Sequence, residues 1–224
     1  HQSDVGRVDR HENLYTEHYD DDNLKLRLRS FFEHLENAKN KNGRLIVLDG
    51  GDGAGKATQA KLLTDYLKKK KIATKNVDFP RYYSSFHGHM VARYLSGEFG
   101  DVASVSPYLV SLAYAIDRAG ARDEIVQWLL KGGIVLANRY TTSSLAYMSA
   151  KFPKGKKREE FISWLDELEY RIHKLPREDL LIYLDVPPKM GQKLVDKRGQ
   201  KRDIHEENLT YLEEVDKVYL DLIK

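Results

Sequence analysis

Residues 44–60 read RLIVLDGGDGAGKATQA, and this stretch decides the fold. Residues 45–48 form an apolar run that is typical of a buried strand, and helix-forming residues follow Lys56. Between them lies a turn of the form G-x-x-x-x-G-K. In this context the turn predicts a phosphate-binding loop, because its backbone N–H groups converge on phosphate oxygens and the helix N-terminus adds a positive dipole end. The turn contains four glycines, Gly50, Gly51, Gly53 and Gly55.

The residue after the loop lysine departs from the usual pattern. A serine or threonine is expected there as a magnesium ligand, but the residue is Ala57. Thr58 comes next, and neighbouring residues on a helix point about 100° apart, so its hydroxyl does not replace the missing one.

The composition limits the class of protein. The chain has 224 residues, of which 41% are apolar and 32% charged, which is typical of a single globular domain. Its 37 basic and 34 acidic residues are too balanced to indicate a nucleic-acid partner. The absence of cysteine excludes disulfides, thiolate zinc sites and cysteine nucleophiles, and it fits a reducing compartment. No apolar run approaches the roughly 18 residues that cross a membrane. With the lack of cysteine, this leads us to expect a cytoplasmic protein.

The pattern predicts two regions, an N-terminal extension over residues 1–43 and a main domain over 44–224. Residues 1–22 are acidic and poor in apolar side chains, which favours disorder or a strap across the surface. A helix is predicted over about 23–41, and its apolar face packs either on the main domain or on a second copy of the chain.

Strands and helices alternate along the main domain. This alternation predicts an α/β fold with a parallel sheet covered by helices on both faces, and ligands at the carboxyl ends of the strands. After the first strand and helix, the predicted strands are 71–78, 134–137 and 180–186, and the predicted helices are 106–131, 158–174 and 208–223.

Polar or aromatic residues recur where later strands and helices would meet the phosphate loop. The segments are FPRY at 79–82, YAIDR at 114–118, NRY at 138–140 with Ser143 and Tyr147, and KRGQKRD at 197–203. Each segment is a weak signal alone, since arginines usually lie on solvated faces and helical tyrosines usually pack in a core. Their order after a phosphate loop makes the combination specific.

With these segments the chain resembles the thymidylate kinases, which are nucleoside monophosphate kinases. The similarity runs from about residue 44 to 222 and rests on GGDGAGKAT, FPRY, YAIDRAG, NRYTTSSLAY, LIYLDVPP and DIHE. The resemblance implies a three-layer P-loop NTPase fold with a mobile lid. It also implies transfer of the γ-phosphoryl group of ATP to dTMP with magnesium, and a homodimer.

The resemblance implies a role for each residue of the loop. Lys56 and the loop backbone hold the ATP phosphates, and Asp52 lies near the sugar hydroxyl of dTMP and the magnesium ion, since carboxylate oxygen suits both. The expected ATP site is Gly50, Gly51, Asp52, Gly53, Ala54, Gly55, Lys56, Ala57 and Thr58.

The acceptor side follows from the same resemblance. Arg139 grips the acceptor phosphate through its planar fork, Tyr114 stacks on thymine, Arg118 reads a thymine carbonyl and Tyr147 lies beneath the deoxyribose. The expected dTMP site is Asp52, Phe79, Arg81, Tyr82, Tyr114, Arg118, Arg139, Ser143 and Tyr147.

Two further features concern charge at the transferring group. The loop carries Gly53 where one type of the family has an arginine, so lid arginines supply the charge, with Arg198 and Arg202 as the expected residues. Lys56, Asp52, Arg139, Arg198 and Arg202 therefore form the predicted catalytic set. Asn138 replaces the usual aspartate and, with Asp52, is the predicted magnesium contact.

Two other functions remain open from the sequence. One is a related kinase with another acceptor, such as dUMP or a deoxynucleoside. The other is a nucleotide-binding relative with weak catalysis, because Ala57 and Asn138 each remove a metal contact.

Overall fold

The computed structural model describes residues 4–7, 43–197 and 202–223. Its sheet has five strands in the order β1-β5-β2-β4-β3, and every neighbouring pair is parallel. The predicted parallel sheet is therefore confirmed. The strands are β1 (Asp4–Arg7), β2 (Arg44–Gly50), β3 (Thr74–Asp78), β4 (Ile134–Asn138) and β5 (Leu180–Leu184).

Helices cover both faces of this sheet. A π-helical segment, Glu167–Ile172, continues one of them. The described α-helices are α1 (Lys56–Lys69), α2 (Phe86–Leu95), α3 (Pro107–Ala119), α4 (Arg122–Leu130), α5 (Thr141–Ser149), α6 (Lys156–Asp166), α7 (Pro188–Asp196) and α8 (Leu209–Leu222). In the described part of the chain, no helix is both long and apolar enough to cross a lipid bilayer.

Two separate apolar cores follow from the alternation of side chains along the central strand. Leu45 and Val47 of β2 point into one core, which contains residues from α2 to α6 and α8. Ile46 and Leu48 point into the other core, against Leu63 and Leu67 of α1. Successive side chains of a strand face opposite sides, so a strand covered on both faces is apolar throughout. This explains the continuous run at 45–48.

The sheet register places two functional segments side by side. Leu48 of β2 pairs with Asn138 of β4, so the loop after β2 and the segment after β4 leave the same edge of the sheet. The amide of Arg139 donates a hydrogen bond to the carbonyl of Leu48 at 2.9 Å. The carboxyl ends of the central strands thus hold the predicted site, as expected for an open parallel sheet.

Some predicted boundaries were wrong. The helix predicted over 106–131 is two helices, α3 and α4, which are separated at Gly120 and Ala121. Glycine has a low helix propensity, so a change of direction there costs little. The helix predicted over 158–174 ends at Asp166 and continues as the π-helical segment. The first residues of the strand predicted over 71–78 form a turn before β3.

Three helices, α2, α5 and α7, were not predicted. In α5 the reason is burial, because every residue of TTSSLAYMS except Leu145 is buried. A helix enclosed on all sides has no polar face and therefore shows no 3.6-residue period.

The N-terminal region contains an element that the sequence did not predict. Residues 4–7 form β1, which pairs with Leu180–Tyr183 of β5 at one edge of the sheet. The helix predicted over 23–41 and residues 198–201 of the expected lid lie outside the described residues.

Candidate active site

The phosphate loop connects β2 to α1 and adopts a conformation that needs glycine. Gly53 has a φ of +77°, and a Cβ atom there would lie 2.2 Å from the carbonyl oxygen of Gly191 in α7. A larger residue would therefore displace α7 from the loop. Gly55, with a φ of +84°, is the N-cap of α1, and among the described residues no side chain caps that helix. The amides of its first turn consequently face the loop, where an anion can accept from them.

Lys56 is the first residue of α1, and its ammonium group lies across the loop. Its Nζ donates to the carbonyl oxygens of Gly50 at 3.0 Å and Gly51 at 2.7 Å. The side chain is buried, so a positive charge is held within the loop. Ala57 and Thr58 follow on the exposed side of the helix.

Asp52 and Arg139 form the ion pair next to this charge. Nη2 of Arg139 donates to Oδ1 of Asp52, and the hydroxyl of Tyr147 donates to Oδ2 at 2.6 Å. Burial alone would raise the pKa of Asp52. The charges of Arg139 and Lys56 and the hydrogen bond from Tyr147 together outweigh burial and lower the pKa to about 2. Asp52 is therefore a carboxylate at neutral pH, with both oxygens engaged in the described structure.

Arg139 owes its direction to the chain turn between β4 and α5. Its φ is +64°, a left-handed conformation that is uncommon outside glycine and is found at functional sites. Nη1 donates to the hydroxyl oxygen of Ser143 at 3.3 Å, and the guanidinium lies 5.3 Å from the ring centroid of Tyr147. The fork thus points into the space beside the phosphate loop.

The buried carboxylate of Asp49, which was not predicted from the sequence, supports the phosphate loop and Ser143 in the segment after β4. Asp49, the penultimate residue of β2, is 0% exposed. Its Oδ1 accepts from the amide of Gly50 at 2.9 Å and from the hydroxyls of Ser143 at 2.6 Å and Tyr219 at 2.8 Å. An acidic residue at the end of a buried strand, directly before the glycine turn, was the available signal.

A cleft of about 420 Å³ opens beside the loop, and we call it the side cleft. It contains six of the predicted site residues, namely Asp52, Tyr82, Tyr114, Arg139, Ser143 and Tyr147. Its other lining residues are Pro80, Leu95, Ser144, Met148, Asp203 and His205.

Three predicted contacts do not line the side cleft. Phe79 is buried, with its ring 5.9 Å from that of Tyr140, which is a packing role. Arg81 is bound to Asp117 of α3, since its Nε donates to Oδ1 at 3.0 Å and its amide to Oδ2 at 2.8 Å. Both residues belong to the wall behind the cleft in this structure.

Arg118 is the third, and its position differs from the expected one. It is 1% exposed, and its Nε donates to Oε1 of Glu169 in the π-helical segment at 3.0 Å. Its Nη2 donates to the hydroxyl of Ser144 at 2.8 Å, and Ser144 lines the side cleft. Arg118 is therefore one side chain away from the cleft, and Ser144 presents the polar atom that Arg118 positions.

Asn138, the second predicted magnesium contact, and Arg202 of the predicted lid are also located elsewhere. The Nδ2 group of Asn138 donates to Oδ1 of Asp78 at 2.8 Å, and Asn138 does not line the side cleft. Arg202 makes a bidentate ion pair with Asp196 at the end of α7, at 2.8 and 2.7 Å. Arg198 lies outside the described residues.

Two residues of the DIHE motif close the far side of the cleft. Asp203 accepts from the amides of His205 at 2.8 Å and Glu206 at 2.9 Å. Burial and the carboxylate of Asp52 raise the pKa of Asp203 to about 7. Burial lowers the pKa of His205 to about 3, so its imidazole is neutral. The motif was noticed in the sequence, but no role followed from it.

The site therefore combines three features. A glycine loop and the start of a helix offer amides, two cations lie near an ionised carboxylate, and an aromatic cleft adjoins them. Such an arrangement can hold one polyphosphate on the loop and a second anionic ligand in the cleft, in contact with each other.

Comparisons with known proteins agree with this geometry. Residues 48–224 match the family described as Thymidylate kinase. The chain is 31% identical to the thymidylate kinase of Mycobacterium tuberculosis over 184 residues, which cover 80% of this chain and 85% of that one. It is 35% identical to a probable thymidylate kinase of Staphylothermus marinus over 185 residues, covering 81% and 82% of the two chains.

A solved structure shows the same fold. The thymidylate kinase of Candida albicans matches with a TM-score of 0.64 at 23% identity, over 81% of this chain and 78% of that one. The predicted three-layer P-loop fold is confirmed, while the mobile lid stays a prediction. Since the family match covers most of the chain and includes the phosphate loop and the side cleft, the chain belongs to the thymidylate kinase family.

Proposed function

We propose that this chain transfers the γ-phosphoryl group of ATP to dTMP, giving dTDP and ADP. The observation that carries the proposal is the ion pair of Asp52 and Arg139, which joins the phosphate loop to the floor of the side cleft. A donor on the loop and an acceptor in the cleft would meet at this pair. Family membership supports the same reaction.

The donor site is the phosphate loop. The amides at the start of α1 and the ammonium group of Lys56 bind the outer phosphates of ATP. In the described structure Nζ of Lys56 bonds two loop carbonyls, and a phosphate oxygen would replace them as its partner. Phosphoryl transfer depends mainly on position and charge neutralisation, so the loop supplies binding and orientation.

The acceptor phosphate binds near Arg139. Its guanidinium is held by Asp52, Ser143 and the ring of Tyr147, so it is oriented before the ligand arrives. A planar fork binds a phosphate through two parallel hydrogen bonds, which fixes the attacking oxygen in line with the donor. Asp52 accepts a hydrogen bond from the sugar hydroxyl, and Tyr147 lies beneath the sugar.

The base occupies the outer part of the cleft. Tyr114 offers a ring on which the base stacks, and Ser144 offers a hydroxyl oriented by Arg118. Arg118 thereby contributes to base recognition through Ser144. Tyr82 borders the same space, and burial raises the pKa of its hydroxyl, so it remains a neutral hydrogen-bond donor.

Magnesium would accompany ATP and neutralise charge on the phosphoryl oxygens. The ionised carboxylate of Asp52 fits a hard cation. Asn138 fits less well, because its amide nitrogen is bonded to Asp78, although its Oδ1 is buried without a recorded partner. No group of three acidic or histidine side chains forms a metal site within the residues that the structure describes.

Arg198 and Arg202 are proposed as lid residues that complete the charge around the transferring group. Arg202 would have to leave Asp196 to do so, and both partners of that pair are partly exposed. Exchange of an exposed ion pair costs little free energy.

A homodimer and a cytoplasmic location are proposed with this function. Helix α3 carries Leu109 and Ile116 on one exposed face, and exposed apolar residues two turns apart on a helix favour contact with a second copy. The location rests on the lack of cysteine in the sequence.

An ATP-coupled assay with dTMP, dUMP, dCMP, AMP and thymidine tests the reaction. We expect the highest kcat/KM with dTMP. A higher value with another acceptor would replace the substrate, and binding of ATP and dTMP without turnover at any magnesium concentration would indicate a nucleotide-binding protein.

Variants of two lysines on α1 test the donor site. Lys56→Met should lower kcat by about 10²-fold or more, because a group that stabilises developing charge is lost. Lys61→Met is the matched control, since Lys61 is an exposed partner of Asp65 on the same helix. Equal rates for the two variants would contradict the assignment of Lys56.

A further inference from the structure

The imidazole of His205 lies in a cage of three tyrosines at the edge of the side cleft. It is 3% exposed. Its ring stacks on Tyr147 with centroids 5.3 Å apart and an interplanar angle of 24°. The rings of Tyr94 and Tyr211 lie at 5.4 and 5.3 Å. His205 also lines the cleft, so one part of the ring remains next to the space that a ligand would fill.

Only one hydroxyl of this cage is recorded in a hydrogen bond with the imidazole. The hydroxyl of Tyr147 donates to Asp52, and that of Tyr211 donates to the carbonyl oxygen of Tyr147. The hydroxyl oxygen of Tyr94 lies 2.9 Å from Nε2 of His205. The direction of this one bond decides which ring nitrogen of a neutral histidine carries the hydrogen.

Lys151 sets the direction of that bond. Its ammonium group donates to the Tyr94 hydroxyl at 3.0 Å and to the carbonyl oxygen of Val105 at 3.2 Å. Burial lowers the pKa of Lys151 to about 8, which leaves it mostly protonated at neutral pH. An ammonium group has no acceptor, so Tyr94 must accept from it. In the described structure, Nε2 of His205 is the recorded acceptor for the one hydrogen that Tyr94 can donate.

The opposite tautomer leaves a group unsatisfied. If Nε2 of His205 carried the hydrogen, Tyr94 would accept from both Lys151 and His205, and its own hydroxyl hydrogen would have no recorded acceptor among the described residues. Tyr94 is buried, and a buried donor without a partner is costly. Burial also keeps the imidazole neutral, because its pKa falls to about 3.

We propose that Lys151, acting through Tyr94, holds His205 as the neutral tautomer with its hydrogen on Nδ1, and that this N–H donates to the sugar hydroxyl oxygen of the acceptor nucleotide. Lys151 and Tyr94 are then positioning residues. Asp52 accepts the hydrogen of the same hydroxyl, since Asp52 and His205 both line the side cleft and both contact Tyr147. This second half rests on the proposed function, whereas the tautomer does not.

Nitrogen-15 NMR of the histidine rings tests the tautomer without substrate. Pyridine-type and pyrrole-type nitrogens have well-separated shifts, and His205→Gln identifies the signals of this ring among the eight histidines. We expect Nε2 to be pyridine-type in the wild type. Lys151→Met should shift the ring towards a mixture of tautomers, Lys151→Arg should retain the wild-type form because arginine is also only a donor, and Lys154→Met is the matched control, since Lys154 is exposed.

A pyrrole-type Nε2 in the wild type would overturn the tautomer assignment, and an unchanged ring in Lys151→Met would overturn the role of Lys151. The wild-type measurement needs no variant, so it decides the question even if Lys151→Met folds poorly. A histidine that merely packs in the core would not respond to the change from lysine to methionine while tolerating arginine.

Binding of dTMP and of its 3′-deoxy analogue tests the donor role. In the wild type the analogue should bind about 5–10-fold more weakly, which is the loss of one or two hydrogen bonds. This preference should shrink in Lys151→Met and return in Lys151→Arg, with the affinity for ATP unchanged. An equal preference in all variants would overturn the contact with the hydroxyl. If the wild type and Lys151→Arg both prefer dTMP to the analogue but the wild type shows no turnover, the proposed reaction is contradicted while the contact with the hydroxyl stands.

Discussion

The phosphate loop and the side cleft meet at Asp52, but they are built in different ways. The loop is a short continuous segment, and its charged side chain bonds carbonyls five and six residues away. The cleft depends on side-chain contacts across the chain: Arg118 and Glu169 are 51 residues apart, Tyr147 and Asp52 are 95, and Tyr94 and His205 are 111. A local backbone motif can be recognised from sequence, whereas a network of distant side chains forms only when the whole domain has folded.

The largest expected effect is loss of the buried ion pair behind the cleft. Arg118→Ala leaves Glu169, which is 0% exposed, without its charged partner. Breaking a buried pair on one side typically costs about 3–5 kcal/mol, so the free energy of unfolding should fall by that amount in urea denaturation. Arg171→Ala is the control, because the Arg171–Glu167 pair in the same helical region is exposed. If Arg118→Ala is as stable as the wild type but binds dTMP more weakly, the result would instead support the predicted direct contact between Arg118 and the base.

The position of Arg118 shows the limit of what could be predicted from the sequence. The loop, the parallel sheet and the approach of Arg139 to the loop followed from local pattern and topology. The resemblance placed Tyr114 and Tyr147 in one cleft. It did not give the position of Arg118, because that depends on Glu169 in a π-helical segment that no pattern predicts. Asp49 and His205 were missed because their roles depend on burial and on partners far along the chain.

The second effect is a pH dependence of stability that arises in the cleft. In the unfolded chain the pKa of His205 is near 6.5. In the folded protein it is about 3, because burial disfavours the charged imidazole. Between these two pH values the unfolded chain binds a proton that the folded protein does not. The contribution of His205 to the free energy of unfolding is therefore fully present above pH 6.5 and is lost as the pH decreases towards 3. Lys151 and Arg139 oppose protonation, and Asp52 favours it.

Urea denaturation at pH 7 and pH 4 measures this term. The wild type should lose up to about 3 kcal/mol from His205 over that interval, and His205→Gln should lose correspondingly less. His89→Gln is the control, since His89 is exposed on α2. A His205→Gln variant that loses as much stability as the wild type would contradict a neutral buried imidazole.

The third effect tests the loop. Gly53→Ala forces a left-handed alanine whose Cβ meets the Gly191 carbonyl, so we expect a loss of about 2 kcal/mol in stability, together with weaker ATP binding. Gly51→Ala should have the wild-type melting temperature, because a Cβ at Gly51 would meet no atom within 4 Å. Similar melting temperatures for the two variants would mean that the loop is less constrained by α7 than its geometry indicates.

The smallest effect concerns Asn138, between the two regions. Asn138→Asp replaces the amide that donates to Asp78 and sets two carboxylates against each other. Stability should fall by about 1 kcal/mol at low ionic strength and by less at high ionic strength, because salt screens the repulsion between the two carboxylates. Asn76→Asp is the control, because Asn76 is exposed on the same strand as Asp78 and the substitution makes the same change of charge. If magnesium stabilises Asn138→Asp more than the wild type, a cation can bind at this strand end.

The pairing of β1 with β5 has a consequence for synthesis of the chain on the ribosome. Asp4 pairs with Leu180. The strand β1 is the first described strand to be translated, and its edge of the sheet can form only after β5, the last described strand, has been translated. Until then β5 is missing and β1 has no partner in the finished register, which exposes backbone N–H and C=O groups to other chains. Translation that pauses between these strands should therefore favour association of nascent chains, and holdase chaperones should bind the N-terminal segment until Tyr183 has emerged.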